Sequence, residues 1–313
     1  MNFDIIFFTI LGLALLLFGA NFLIKYIVIL AKKINVSYFI IASCTVALGT
    51  TIPELATSLK AVLSKPPHPG IAVGNLLGSN IANILFIIGL VSIINPIKIN
   101  FDKLLNTEIK INFFIIFFPT SIILFNLPNN LTFYLSIIML VALIYFLYER
   151  IITEKEINKE REYVEESLIL IIFLIILSLI IIIVGSNYFI NGSVKIAQHF
   201  NVSERIIGLS LVALGTSLPE LITAIIAAIK KLQGIALGNV LGANAYNILG
   251  ILGIVEIIEP SAILKNTGKI DILFLTISTI LLAIILMKKQ NINRFNGLFF
   301  LAIYILYIYL IYY

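Results

Sequence analysis

The sequence predicts an all-α polytopic membrane protein with ten transmembrane helices, built as two five-helix repeats of inverted topology. Three observations predict this. Hydrophobic residues make up 60% of the 313 and charged residues only 12%, where a soluble domain has about 25% charged residues. Apolar runs of roughly 20 residues, each long enough for a bilayer core of about 30 Å, recur from end to end. The two halves also share motifs in the same order, which hydrophobicity alone does not produce.

The runs are read as helices at 4–31, 38–63, 70–94, 110–126, 131–149, 167–197, 204–229, 234–258, 270–288 and 295–312. The first has no basic start and no small-residue cleavage site, so it reads as a retained span. Its closing stretch, "FGANFLIKYIVILAKKINVS" at 18–37, pairs with "VGSNYFINGSVKIAQHFNVS" at 184–203. The second and seventh helices carry "ALGTTIPELATS" and "ALGTSLPELITA". The third and eighth carry "GIAVGNLLGSNIANILFIIG" at 70–89 and "GIALGNVLGANAYNILGILG" at 234–253. The offset is 166 residues up to Glu54 and Glu220 and 164 afterwards, because "KPPHPG" in one connection stands against "KLQG" in the other. Between the fifth and sixth helices, "ERIITEKEINKEREYVEES" at 149–167 holds seven of the sixteen acidic residues. It divides the chain into a first repeat (1–148), a linker (149–167) and a second repeat (168–313).

Five helices per half reverse the second half in the membrane. Fifteen of the 21 Lys and Arg residues sit at or beside the connections after helices 1, 3, 5, 7 and 9, and six at those after helices 2, 4, 6 and 8. By the positive-inside rule, both termini are then extracellular and the linker is cytoplasmic, for a protein of the plasma membrane. The net charge of +5 is a topology signal of this kind and gives no reason to expect nucleic acid. The single cysteine, Cys44, can form no internal disulfide. His68 and His199 lie in or beside predicted loops and read as solvated residues, not metal ligands. No GxxxxGK[ST] motif is present, which argues against a nucleotide and ATP-driven pumping.

Glu54 and Glu220 fall near the middle of predicted spans. A charge there costs at least about 2.5–3.5 kcal/mol and usually faces a cavity or a partner; the alternative is a protonated glutamate bonded between helices. Pro53 removes the helical donor of the Gly49 carbonyl, and Pro219 that of Gly215. In a membrane, freed carbonyls need protein, water or an ion. Each motif thus offers a carboxylate, one or two free carbonyls, and the hydroxyls of Thr50, Thr51, Thr216 and Ser217. A proline kink serving packing alone is the simpler reading, but a kink needs no glutamate. Asn75, Ser79 and Asn83 form a stripe on the third helix, matched by Asn239, Ala243 and Asn247 on the eighth. Asn83 and Asn247 read as lining the glutamate site, Asn75 and Asn239 as structural. The pairs Gly74/Gly78 and Gly238/Gly242 read as close helix packing. Two ionised glutamates balance one divalent or two monovalent cations. With no thiol or imidazole, zinc and copper are disfavoured, leaving Ca²⁺, Na⁺ and H⁺, with Mg²⁺ behind them. Inverted repeats with broken helices are a general plan of secondary transporters.

"GTTIPELATS" with "GNLLGSNIAN", and "GTSLPELITA" with "GNVLGANAYN", strongly resemble the two α-repeats of the cation/calcium exchanger superfamily, and within it the prokaryotic sodium/calcium exchangers. The resemblance covers nearly the whole chain. It implies electrogenic antiport of several Na⁺ against one Ca²⁺ by alternating access, with the first and sixth helices sliding over a core of helices 2, 3, 7 and 8. It implies no enzymatic chemistry, no cofactor beyond the transported ions, and function as a monomer in the lipid bilayer. By resemblance, Glu54 and Glu220 bind both ions and the carbonyls of Thr50 and Thr216 complete the Ca²⁺ shell. The side chains of Thr51, Ser79 and Ser217, with the carbonyls of Ala47 and Ala213, serve flanking Na⁺ sites, and Asn83 and Asn247 close the centre. Two positions depart from the pattern. Ala243 stands where the repeat partner and the family usually have serine, so one Na⁺ site loses a hydroxyl. Asn247 stands where many relatives have aspartate, which argues against potassium co-transport. The linker is too short for the calcium-sensing domains of animal exchangers. The rivals are a Ca²⁺/H⁺ antiporter and, more remotely, a cation channel.

Overall fold

A bilayer leaves backbone N–H and C=O groups no partner but each other, so each apolar run closes into a helix. The computed structural model describes residues 3–98, 102–155, 166–200, 215–260, 262–288 and 291–312. In chain order these form α1 (Phe3–Ile34), α2 (Tyr38–Thr50), α3 (Ile52–Leu63), α4 (Pro69–Ile94), α5 (Asp102–Leu124), α6 (Asn129–Lys155), α7 (Leu168–His199), α8 (Leu218–Ile229), α9 (Gln233–Ile258), α10 (Ala262–Asn266), α11 (Lys269–Met287) and α12 (Arg294–Tyr312). Eight are long and apolar enough to span a bilayer, or nine if the bent pair α2 and α3 counts as one span, among the described residues. Of the helix expected at 204–229, residues 204–214 lie outside the described residues.

The helix ends follow local chemistry. Ser37 caps α2 by accepting the Ile40 N–H at 3.3 Å. Pro53, Pro69 and Pro219 sit in first turns, where a missing N–H costs nothing. Asn35, Asn126 and Lys231 take positive φ just past α1, α5 and α8, and the next N–H reaches back to Ala31, Ile122 and Ala227 respectively.

Burial separates a centre from a periphery. The spans of α4 and α9 are 72% and 83% buried, against 22% to 28% for α1, α6, α7 and α12. Around them pack α2, α3 and α8, the elements that carry the conserved spacing of the two motifs within this chain. Outside this group α1 and α7 cross backbone to backbone. A Cβ on Gly12 would lie 2.8 Å from Gly185 O and collide with Phe189 N, and one on Gly185 would lie 2.8 Å from Leu16 N. The crossing is therefore smooth and possible only with glycine at those positions.

Each repeat also has an outer helix pair, and each pair is pinned by one carboxylate. In α5 and α6 the Arg150 guanidinium donates to Glu108 Oε1 at 2.7 Å and Oε2 at 2.9 Å, with both residues fully buried. In α11 and α12 the Tyr307 hydroxyl donates to Asp271 Oδ1 at 3.0 Å. The sequence reading ended the fifth span at 149 and counted Arg150 as a linker cation. The structure corrects this: the helix continues to Lys155, because Arg150 has a buried partner on the neighbouring helix. It also starts the fourth span earlier, at Asp102, which places Glu108 inside α5. An isolated antiparallel bridge between Ile97 and Ile292 joins the connections after α4 and α11.

Candidate functional site

The two motifs enter α3 and α8 through matching turn residues. α2 ends at Thr50, α3 starts at Ile52, and the axes bend by 41°. The intervening Thr51 has φ −81° and ψ 1°; its counterpart Ser217, before α8, has φ −87° and ψ 7°. Helical bonding resumes with Leu55 N–H to Thr51 O and Leu221 N–H to Ser217 O, each at 3.0 Å. The carbonyls of Gly49 and Gly215 lose their donors to proline. Those of Thr50 and Thr216 lie just before the helix restarts, so no N–H four residues on closes a turn on them. The Gly215 carbonyl is taken by the Ser186 hydroxyl of α7 at 3.3 Å.

Each break is held by the opposite repeat. The Thr50 hydroxyl donates to Asn239 Oδ1 at 3.2 Å, and the Thr216 hydroxyl to Asn75 Oδ1 at 3.0 Å. Asn75 also donates to Ser58 Oγ at 3.3 Å. This is the structural role expected of Asn75 and Asn239, reproduced in both copies.

Glu54 and Glu220 occupy the first turns of α3 and α8 and are 1% and 0% exposed. Ser217, three residues before Glu220, is bonded to Glu54, so the two first turns face each other. The Ser217 hydroxyl donates to Glu54 Oε1 at 3.2 Å and lies 3.0 Å from Ser79 Oγ. Glu54 Oε2 and both oxygens of Glu220 are buried with no hydrogen-bond partner among the described residues.

Asn83 and Asn247 flank this pair. Each lies at or beside the start of a π-helical segment, 83–88 in α4 and 246–252 in α9. These wider turns, frequent at functional sites, were not foreseen from the sequence. The segment with Asn83 packs on α8, and the segment with Asn247 packs on α3. Asn83 Nδ2 donates to Asn244 Oδ1 at 2.9 Å, leaving its own Oδ1 unpartnered; Asn247 has neither amide atom bonded. Asn244 was also missed. Its repetition as Asn80 in the first copy was the available signal.

The remaining candidates divide. Ser79 and Ser217 lie in the glutamate cluster, each 2% exposed. Thr51 is buried but faces away: its hydroxyl donates to Ala47 O at 2.9 Å or Leu48 O at 3.1 Å. The Ala47 carbonyl therefore sits under donors of its own helix end. Ala213 lies outside the described residues. His68 and His199 are both exposed.

Among the described residues the cluster contains five buried acceptors with no hydrogen-bond partner: Glu54 Oε2, Glu220 Oε1 and Oε2, Asn83 Oδ1 and Asn247 Oδ1. Five acceptors facing no donor carry a large desolvation cost unless something positively charged meets them. By charge and donor type, such a set suits a hard, oxygen-seeking cation.

The family model described as sodium/calcium exchanger protein matches residues 5–152 and 170–313. An uncharacterised membrane protein of Methanocaldococcus jannaschii is 33% identical over 96% of this chain and 95% of its own. The sodium/calcium exchanger MaX1 of Methanosarcina acetivorans is 29% identical over 97% of both chains. Among solved structures, the sodium-calcium exchanger NCX_Mj soaked with 2.5 mM Na⁺ and 10 mM Sr²⁺ superposes with a TM-score of 0.84 and 32% identity over 98% of each chain. The chain belongs to the sodium/calcium exchanger family and is an integral membrane protein of helical fold.

Proposed function

We propose that the chain exchanges Na⁺ for Ca²⁺ through the single centre between α3 and α8. The observation that carries this is the buried pair Glu54 and Glu220, one from each repeat, with three of four carboxylate oxygens unpartnered. Adding Asn83 Oδ1, Asn247 Oδ1 and the freed carbonyls of Thr50 and Thr216 gives an oxygen set in the range of six to eight that Ca²⁺ takes. Glu54 and Glu220 are assigned to both ions. Ser79 and Ser217, beside Glu54, are assigned to Na⁺.

The transport cycle we propose is alternating access, with α1 and α7 sliding over the core of α2, α3, α4, α8 and α9. The glycine crossing at Gly12 and Gly185 supports this, because it brings the two long helices backbone to backbone as one unit. We further propose ten spans in two inverted repeats, 1–148 and 168–313, joined by a cytoplasmic linker. α8, preceded by residues 204–214, supplies the tenth. The termini are extracellular, the monomer is the working unit, and inward Na⁺ flow drives electrogenic Ca²⁺ extrusion at the plasma membrane.

The test is ⁴⁵Ca²⁺ uptake into proteoliposomes loaded with Na⁺. Uptake should follow the outward Na⁺ gradient and respond to membrane potential. If a pH gradient drives uptake and a Na⁺ gradient does not, the protein is a Ca²⁺/H⁺ antiporter. If Ca²⁺ flux proceeds with neither, it is a channel.

A further inference from the structure

The two breaks share a backbone, but their surroundings differ on one side. Beside Glu54, Ser217 Oγ lies 3.2 Å from Oε1 and 3.0 Å from Ser79 Oγ, so one carboxylate and two hydroxyls converge. The corresponding residues beside Glu220 are Thr51 and Ala243. Thr51 has turned its hydroxyl back onto its own helix, and Ala243 has none to offer.

The Ala47 carbonyl, the remaining oxygen on that side, is already occupied. It accepts the Thr51 N–H at 3.0 Å and the Thr51 hydroxyl at 2.9 Å, with the Thr50 hydroxyl oxygen 3.3 Å away. A carbonyl has two lone pairs, so little acceptor capacity is left. Carbon packs around Ala47 instead. Ala47, Ala243 and Tyr246 form one buried cluster, with Leu143 and Leu147 packed against it. Tyr246 stands where the first repeat has Ala82. Its ring is fixed because its hydroxyl donates to Cys44 O at 2.8 Å, on the π-turn 42–46 that leads into Ala47.

A hard monovalent cation leaving water must find oxygens to replace its hydration shell. The Glu54 lobe supplies two serine hydroxyls, whereas on the Glu220 side the Thr50 hydroxyl is engaged with Asn239, the Thr51 hydroxyl with its own helix, and Ala243 has none. We infer that the Glu220 lobe is closed to Na⁺ by the Ala243–Tyr246 plug, and that flanking Na⁺ binds in the Glu54 lobe alone, on Glu54, Ser79 and Ser217. This rests on the Na⁺/Ca²⁺ exchange proposed above. Glu220 is then left to Ca²⁺ and to whatever occupies the centre between the lobes.

The experiment measures the Na⁺ and Ca²⁺ dependence of exchange in proteoliposomes. Ser79→Ala should raise the half-saturating Na⁺ about tenfold, the loss of one ionic hydrogen-bond-strength contact. It should move half-saturating Ca²⁺ less than about threefold, and Ser79→Thr should restore Na⁺ affinity. The double variant Ala243→Ser/Tyr246→Ala copies Ser79 and Ala82 into the second repeat. It should lower half-saturating Na⁺ at least about threefold and steepen the Na⁺ dependence, because a second lobe becomes available. Unchanged Na⁺ dependence in Ser79→Ala, or in a double variant that elutes as a folded protein, overturns the inference. Should the double variant misfold, the Ser79 pair decides alone. A wild-type protein that moves Ca²⁺ without responding to Na⁺ instead sinks the exchange proposal, which separates the two failures.

Discussion

Glu54 and Glu220 sit on matching turns of matching helices, yet Ser217 donates to Glu54 at 3.2 Å while neither Glu220 oxygen has a partner within hydrogen-bond distance among the described residues. The backbone around them is nearly the same, with Thr51 and Ser217 differing by only a few degrees in φ and ψ. The difference comes from side chains on α9 against those on α4: Ala243 for Ser79 and Tyr246 for Ala82. Duplication thus fixes where the helix breaks and which carbonyls are released. Substitution on the facing helix then decides which ion each half can hold. A divalent ion placed between the glutamates uses what the copies share. A monovalent ion at one flank uses what they do not.

The largest effect should come from the shared part. Glu54→Gln and Glu220→Gln each remove half of the negative charge that a Ca²⁺ ion would balance. Each should reduce ⁴⁵Ca²⁺ exchange at least about a hundredfold, about 2.8 kcal/mol, with normal insertion checked by size-exclusion chromatography. Retained exchange in either variant would break the idea of one centre formed by both repeats.

The outer helix pairs offer the next comparison. Arg150 and Glu108 pin the first pair through a buried bidentate ion pair, whereas Tyr307 and Asp271 pin the second through one hydrogen bond. Arg150→Met leaves Glu108 buried and unpaired and should destabilise the protein by about 3–5 kcal/mol. Tyr307→Phe should cost about 0.5–1.5 kcal/mol. Thermal unfolding in detergent measures both. In the double variant Arg150→Met/Glu108→Gln much of the loss should return, since no buried charge is then left unpaired.

The sequence made some of this legible and hid the rest for physical reasons. Pro53 and Pro219 announce the breaks because a missing N–H is a covalent fact that no environment changes. The pairing of Asn75 and Asn239 with the breaks was legible as a stripe, though not as contacts between opposite repeats. The direction of the Thr51 hydroxyl was not legible. A threonine can bond back to its own helix or forward into a site, and the facing residue chooses. Arg150 looked like a linker cation because its partner, Glu108, is 42 residues away on another helix. The π-turns at Asn83 and Asn247 left no mark in the hydrophobic pattern, since one extra residue per turn shifts a helix face without changing its composition.

The smallest expected difference is the sharpest check on the shared half of the centre. Thr50 and Thr216 each place a freed carbonyl at the break, and each is steadied by a hydroxyl bond to an asparagine of the other repeat. Thr50→Val and Thr216→Val keep the shape and remove that bond. Each should weaken Ca²⁺ about fivefold in transport assays, or about 1 kcal/mol, the net worth of one hydrogen bond. The two effects should agree within about threefold, although Thr50 is fully buried and Thr216 only partly. The reason is that the asparagine bond is the one feature common to both hydroxyls; the extra contact from Thr50 to Ala47 O at 3.3 Å is long and bent back along its own helix. Equal losses would mean that the Ca²⁺ centre keeps the symmetry of the duplication while the Na⁺ flank has abandoned it. A difference beyond about tenfold would mean that the plug at Ala243 and Tyr246 reaches the Ca²⁺ position as well, and that the asymmetry extends through the whole centre.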